Sequence, residues 1–223
     1  MLEAMKRFIM LIVATLVLAP AMAVHPAGSY NEELHNIHKK SSTVKPQVEV
    51  NLGFVTGGKL KTKNFGDVKT NLSRPYFEVI GGARLGNFLF VGVGTGVQYL
   101  YGECNLVENI SQIAGKGAPH TWGAVNIPIY ANIKGCFPVN SLITPYISLS
   151  LGGQVVATSN FSKEGYGKLQ GGLLMKFGAG LTISKFNFGL GLASQNLEWV
   201  DAAGATMFKA GNNAFYIEAG VAF

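Results

Sequence analysis

The chain has 223 residues, enough for one β domain of barrel or sandwich size, and nothing in its composition marks a second core. Hydrophobic residues make up 48%, but charged residues only 13%, where soluble domains carry about 25%, so an ordinary water-facing surface is excluded. The net charge of +6 comes without the basic patch interleaved with aromatics that nucleic acid requires, and 29 glycines spread through the apolar runs weigh against long helices.

Lys6 and Arg7 precede the apolar run FIMLIVATLVLA (8–19), which ends at Pro20 and then Ala21-Met22-Ala23, a small-x-small cleavage pattern. This predicts a secretory signal peptide over 1–23. The run is well short of the ~20 residues a membrane helix needs, and Glu3 is out of place in a basic leader, which makes Met5 a candidate start. No cysteine follows the cleavage point, which argues against a lipid anchor there. The polar, turn-rich stretch 24–46 is expected to be an N-terminal tail with one helical turn near Asn31 to Lys39. No other stretch is apolar enough for a spanning helix, so an exported form living in a membrane would have to be β-structure.

From Gln47 the apolar residues recur with period two, and the pattern predicts eight strands: 47–57, 75–85, 88–100, 121–134, 143–155, 168–182, 186–197 and 213–223. The connections LGNF (85–88), GCFPVNS (135–141) and ISKF (183–186) are tight, whereas 58–74, 101–120, 156–167 and 198–212 are long and polar. Even strand number with alternating short and long connections is the pattern of an all-β, eight-stranded antiparallel up-and-down transmembrane barrel. The short turns and both termini then lie in the periplasm. The last strand, FYIEAGVAF, keeps its alternation to the final residue, with Phe215, Ile217, Ala219, Val221 and Phe223 on one face.

Alternation does not say which face meets water; the charges do. Within the strands they reduce to Glu49, Glu78, Arg84, Lys134, Lys176 and Glu218, all on the polar faces, while the apolar faces carry none. The polar faces otherwise hold Gly94, Gly96, Gly172, Gly178, Gly180, Gly189, Gly191, Ser148, Ser150, Asn126, Asn132 and Gln154. Small residues with balanced charge suit a narrow lumen and not a soluble exterior, so the six charges are expected to form a paired lumen network and the apolar faces to meet lipid. Aromatics near strand ends (Tyr76, Tyr99, Tyr101, Trp122, Tyr130, Phe137, Tyr146, Phe186, Phe215, Tyr216) are expected in interfacial girdles.

Residues 47–223 resemble the small eight-stranded outer-membrane β-barrel family of Gram-negative bacteria, the porin-like OmpA/OmpX type, through TPYISLSLGG (144–153), GGLLMKFGAGL (171–181) and the final strand ending in Phe223. The resemblance implies that Phe215, Ile217, Val221 and Phe223 form the signal read by the barrel-assembly machinery. It implies no peptidoglycan-binding module, because the sequence ends at the barrel.

Candidate chemistry is thin. His35 and His38 have the spacing of a helical metal pair but sit in the tail without a nearby cysteine, so no metal or other cofactor is expected. Cys104 and Cys136 fall at opposite ends of the fourth strand, too far apart for a disulfide. His120 beside Thr121 is the nearest approach to a lipid A-modifying site, without an acid and serine to complete it. The first long connection carries Lys59, Lys61, Lys63, Lys69 and Arg74, a basic surface loop for lipopolysaccharide phosphates, an unknown extracellular partner or plain solvation. Eight strands leave an interior that side chains fill. The expectation is a non-enzymatic structural or surface-interaction barrel among outer-membrane lipids and lipopolysaccharide, with a narrow solute channel as the alternative. Cleavage after Ala23 should leave Val24 as the mature N-terminus; N-terminal sequencing that begins at Met1 or Met5 would refute it.

Overall fold

The computed structural model describes residues 44–62, 66–70, 72–103, 121–160, 167–200, 203–204 and 206–223. The leader, the tail to residue 43, His35, His38, Lys63, Cys104 and His120 lie outside them. The described residues form nine strands, β1 (Val44–Thr62), β2 (Gly66–Thr70), β3 (Arg74–Leu85), β4 (Leu89–Glu103), β5 (Thr121–Cys136), β6 (Ile143–Ser159), β7 (Lys168–Ile183), β8 (Phe186–Val200) and β9 (Thr206–Ala222). Each pairs antiparallel with its neighbour, and β1 pairs with β9, so the sheet closes on itself. β2 and β3 together make one broken stave, since β3 pairs with the first part of β1 and β2 with its last part. The result is an eight-stave antiparallel barrel.

Three expected boundaries move. β1 begins at Val44, so the end of the expected tail is strand, and Pro46 sits where β1 has β3 as its only partner and a missing N–H costs no ladder bond. The expected first loop is largely a paired hairpin, Lys59 opposite Lys69 and Lys61 opposite Asp67. At the same end β4, β6, β8 and β9 also extend beyond their expected limits, because the ladders continue into stretches whose composition is polar.

The outside is apolar. Along β6, Ile143, Ile147, Leu149, Leu151 and Val155 are all exposed, as are Val91 and Val93, Ile127, Ile129 and Ile133, Leu173 and Phe177, and Leu190 and Leu192 on neighbouring strands. Ile143 to Val155 is about 40 Å of strand at ~3.3 Å per residue, or about 30 Å of height at a tilt of ~40°, which matches the hydrocarbon core. The barrel ladder includes the last residue: the Phe223 N–H donates to the Val48 carbonyl at 2.8 Å and the Val48 N–H to the Phe223 carbonyl at 3.1 Å.

Irregularities gather at the end of the barrel that carries the long connections, with register shifts at Val55/Gly58, Val125/Asn126, Gly171/Leu174 and Trp199/Val200. There the wall also parts. β6 and β7 pair only as far as Gly153 opposite Leu173; beyond it Gln154–Ser159 pairs with β5 alone and Lys168–Gly171 with β8 alone. If the belt meets lipid, Leu149→Arg at mid-strand should destabilise by about 2–4 kcal/mol and Phe186→Arg, beside a tight turn, by about 1 or less. Urea unfolding in lipid vesicles measures both, and equal costs would contradict the assignment.

Candidate functional site

Because every second residue of each strand points inward, the lumen is a stack of side-chain layers. Nearest the tight turns is an open mouth, a cavity of about 250 Å³ lined by Lys45, Arg84, Lys134, Cys136, Asn187 and neighbouring residues. Arg84, expected in the paired network, stands here instead. Its guanidinium donates to the Asn87 carbonyl at 3.3 Å, and it joins none of the ion pairs among the described residues. Its position one residue from the end of β3 puts the long side chain at the rim, where water solvates it.

The next layer is Glu49 and Lys134, 2.6 Å apart and both buried, with Gln47 donating to the other Glu49 oxygen at 2.8 Å. The Lys134 ammonium also lies 4.3 Å from the Tyr146 ring centre. Above it, Lys176 reaches from β7 to Glu78 on β3 at 2.8 Å and to Glu218 on β9 at 3.2 Å. The Tyr76 hydroxyl donates to Glu218 at 2.9 Å, and the faces of Tyr76 and Tyr216 lie 4.3 and 4.9 Å from the same ammonium. The lumen brings five of the six expected charges into these two clusters. Charges taken this far from water persist only when each is paired and hydrogen-bonded, and these are.

Tyr76, Tyr130, Tyr146 and Tyr216 were expected in the interfacial girdles; all four are buried in the lumen. Each directly opposes a glycine of the next strand: Gly53, Gly94, Gly180 and Gly191 respectively. A Cβ on Gly53, Gly94 or Gly180 would run into the facing ring, as would one on Gly178 below Tyr216, so the rings lie flat over bare backbone. Parity carried the signal, since Tyr76 is two residues from Glu78 and Tyr216 two from Glu218. Tyr101, Phe137, Phe186 and Phe215 do face outward. Ile80, Phe90, Tyr130 and Leu174 add an apolar cluster that fills the remaining space at this height. A bulge turns Gly171, not Gly172, towards Gln154.

Arg74, expected in the basic surface loop, is instead the first residue of β3 and is buried in the lumen, two residues from Tyr76 on the same face. Of the expected assembly signal, Phe215, Ile217 and Phe223 are exposed on the outer face, whereas Val221 is buried between its register partners Val50 and Phe186. Cys136 is buried with its Sγ 3.9 Å from the Lys134 carbonyl. Thr121 opens β5, and among the described residues no group of His, Cys, Asp or Glu could hold a metal ion.

No family model and no curated protein matches the sequence. Among solved structures the chain is similar to the outer membrane protein OprG from Pseudomonas aeruginosa, at 12% identity and a TM-score of 0.45 over 82% of this chain and 97% of that one. It is also similar to Neisserial surface protein A (12%, 0.40, over 79% and 98%) and to the N-terminal β-barrel domain of Pseudomonas aeruginosa OprF (13%, 0.36, over 81% and 100%). These neighbours are small eight-stranded outer-membrane β-barrels.

Replacing Lys176 by Met would leave Glu78 and Glu218 buried without their cation, a loss of about 3–5 kcal/mol. Arg84→Met at the wet mouth should change stability by about 0.5 kcal/mol or less. Denaturant midpoints in lipid vesicles report both, and similar losses would contradict the layer assignment.

Proposed function

We propose that the chain is a non-enzymatic barrel of the bacterial outer membrane, with the tight turns in the periplasm, whose lumen is closed by its own side chains and which acts as a structural or surface-interaction protein through its long connections. The observation that carries this is the Lys176 cluster, which ties β7 to β3 and β9 across the lumen, with the Glu49–Lys134 pair as a second bar nearer the tight turns. Eight strands leave no room for a water column beside such bars and four flat-lying tyrosines. The exposed apolar belt favours lipid as the surrounding medium, and a barrel is the only sheet that can meet lipid without an open edge. Outer-membrane lipids and lipopolysaccharide would be its neighbours. The barrel-assembly machinery would read the strand ending at Phe223, whose outward Phe215, Ile217 and terminal ring favour that role.

The measurement is planar-bilayer recording of the refolded protein at neutral pH, with lipid A modification assayed on the same sample. No steady conductance and no modified lipid A are expected. Stable stepwise channels would overturn the closed-lumen reading in favour of a narrow channel, and altered lipid A would overturn the non-enzymatic one.

A further inference from the structure

The open mouth at the tight-turn end holds charges that the closed lumen does not use. Its cavity of about 250 Å³ is lined from six of the eight staves, by Lys45 and Glu49 on β1, Arg84 on β3, Lys134 on β5, and residues of β7, β8 and β9. It therefore lies inside the ring of strands and opens along the barrel axis to water, not through the wall to lipid. At ~30 Å³ per water the space takes about eight waters, or one small ion with several of them.

Two cations share this space. Lys45 is the register partner of Arg84, so the ladder of β1 and β3 sets two like charges on directly opposite inward residues, which destabilises a sheet unless something negative lies between them. Neither joins an ion pair among the described residues, and the Arg84 guanidinium donates to the neutral Asn87 carbonyl. Both are within reach of a solute, Lys45 being exposed and Arg84 half-buried. The whole end shows the same imbalance. From the tight turns up to the Glu49–Lys134 layer, the described residues include four side-chain cations, Lys45, Arg84, Lys134 and Lys185, and one side-chain acid, Glu49, which Lys134 holds at 2.6 Å. Even with a carboxylate at Phe223 counted, four cations against two anions leave two positive charges over.

Ser184 adds a third feature. It lines the same cavity with a φ of 59°, the left-handed conformation that a tight turn normally gives to Gly or Asn, so a hydroxyl is kept at the mouth at a conformational cost. An excess of two positive charges matches one dianion, whereas a monocarboxylate would leave half of it unbalanced. A tetrahedral oxyanion also has oxygens enough to accept two N–H groups of the guanidinium and still meet the ammonium and the hydroxyl. A cleft lined by one sign of charge concentrates such ions from solution. We propose that the mouth is a binding site for a small phosphate dianion, inorganic phosphate or a compact phosphate monoester, taken from the water at the tight-turn end. The Glu49–Lys134 layer closes its floor, so the ion is held there and does not pass through the barrel.

The test uses the full-length folded protein in octyl glucoside micelles, which carry no phosphate. It is titrated at about pH 8, where phosphate is a dianion, with sodium phosphate and separately with sodium acetate at constant ionic strength. The reporter is the backbone N–H resonance of Ser184, which the Leu142 carbonyl holds at 2.7 Å. Phosphate should shift it saturably, and acetate should not saturate over the same range. Lys45→Gln and Arg84→Gln should each weaken phosphate binding about tenfold or more, the effect of losing one charged hydrogen bond. Lys168→Gln, which removes an exposed cation at the far end of the barrel, should leave it unchanged. In phosphatidylglycerol nanodiscs phosphate should still saturate; its failure there would mean that lipid headgroups fill the mouth. The proposal is overturned by that failure, by no saturation in micelles, by acetate saturating at equal or lower concentration, by unchanged binding in Lys45→Gln and Arg84→Gln, or by an equal loss in Lys168→Gln. The phosphate and acetate arms on the unsubstituted protein decide the matter even if a variant does not fold.

Discussion

The ammonium of Lys176 is the contact on which the interior depends. It stands on β7 and meets a carboxylate on β3 and another on β9, so one side chain ties together walls that share no backbone hydrogen bond. Such a contact is open only to a barrel this narrow. It also constrains what surrounds it. Two carboxylates brought to one lysine need further donors, which Tyr76 and Gln98 supply. The tyrosines in turn need room, and the glycines opposite them provide it by having no side chain. The Lys–Glu pairs, the tyrosines and the lumen glycines are thus a single arrangement.

The outer face obeys a different rule, satisfied by the backbone alone. In hydrocarbon no water can bond an open N–H or carbonyl, so the sheet must close, and it does so through β1 and β9 up to the terminal Phe223. With the backbone satisfied, the outward side chains need only be apolar. This explains a belt of Val, Ile, Leu and Phe with little apparent specificity beside a lumen in which Glu49, Glu78, Lys134, Lys176 and Glu218 each have a particular partner.

The two halves of the barrel are built differently. Towards the tight turns the ladders are regular and the lumen is ionic; towards the long connections all four register shifts, the parting of β6 from β7, and the uncharged polar residues around Arg74 occur together. Bulges tilt and re-aim strands, and a strand that leaves its neighbour opens the wall. An ionic half with regular ladders thus carries a polar half with irregular ones.

Strand number, direction and facing were legible in the residues themselves, because a period of two assigns each side chain to one face and charges absent from one set of faces name the face that meets lipid. Of the six charges expected in one lumen network, five stand in the two clusters and Arg84 stands at the rim. Which charge meets which was not legible. Glu49 meets Lys134 and Glu78 meets Lys176 across the lumen, and those meetings follow from register and stagger accumulated around the closed sheet, to which no local pattern is sensitive. Arg74 is ambiguous in sequence because a strand's first residue and a loop's last look alike, yet one points inward and the other into water. The four lumen tyrosines lie near strand ends, as girdle residues do, but their parity with lumen residues, as of Tyr76 with Glu78 and Tyr216 with Glu218, turns them inward. Sequence by itself determined the face on which each residue stands; only the tertiary structure decided its partner, because partners in a lumen are chosen by the closure of the barrel and not by neighbours along the chain.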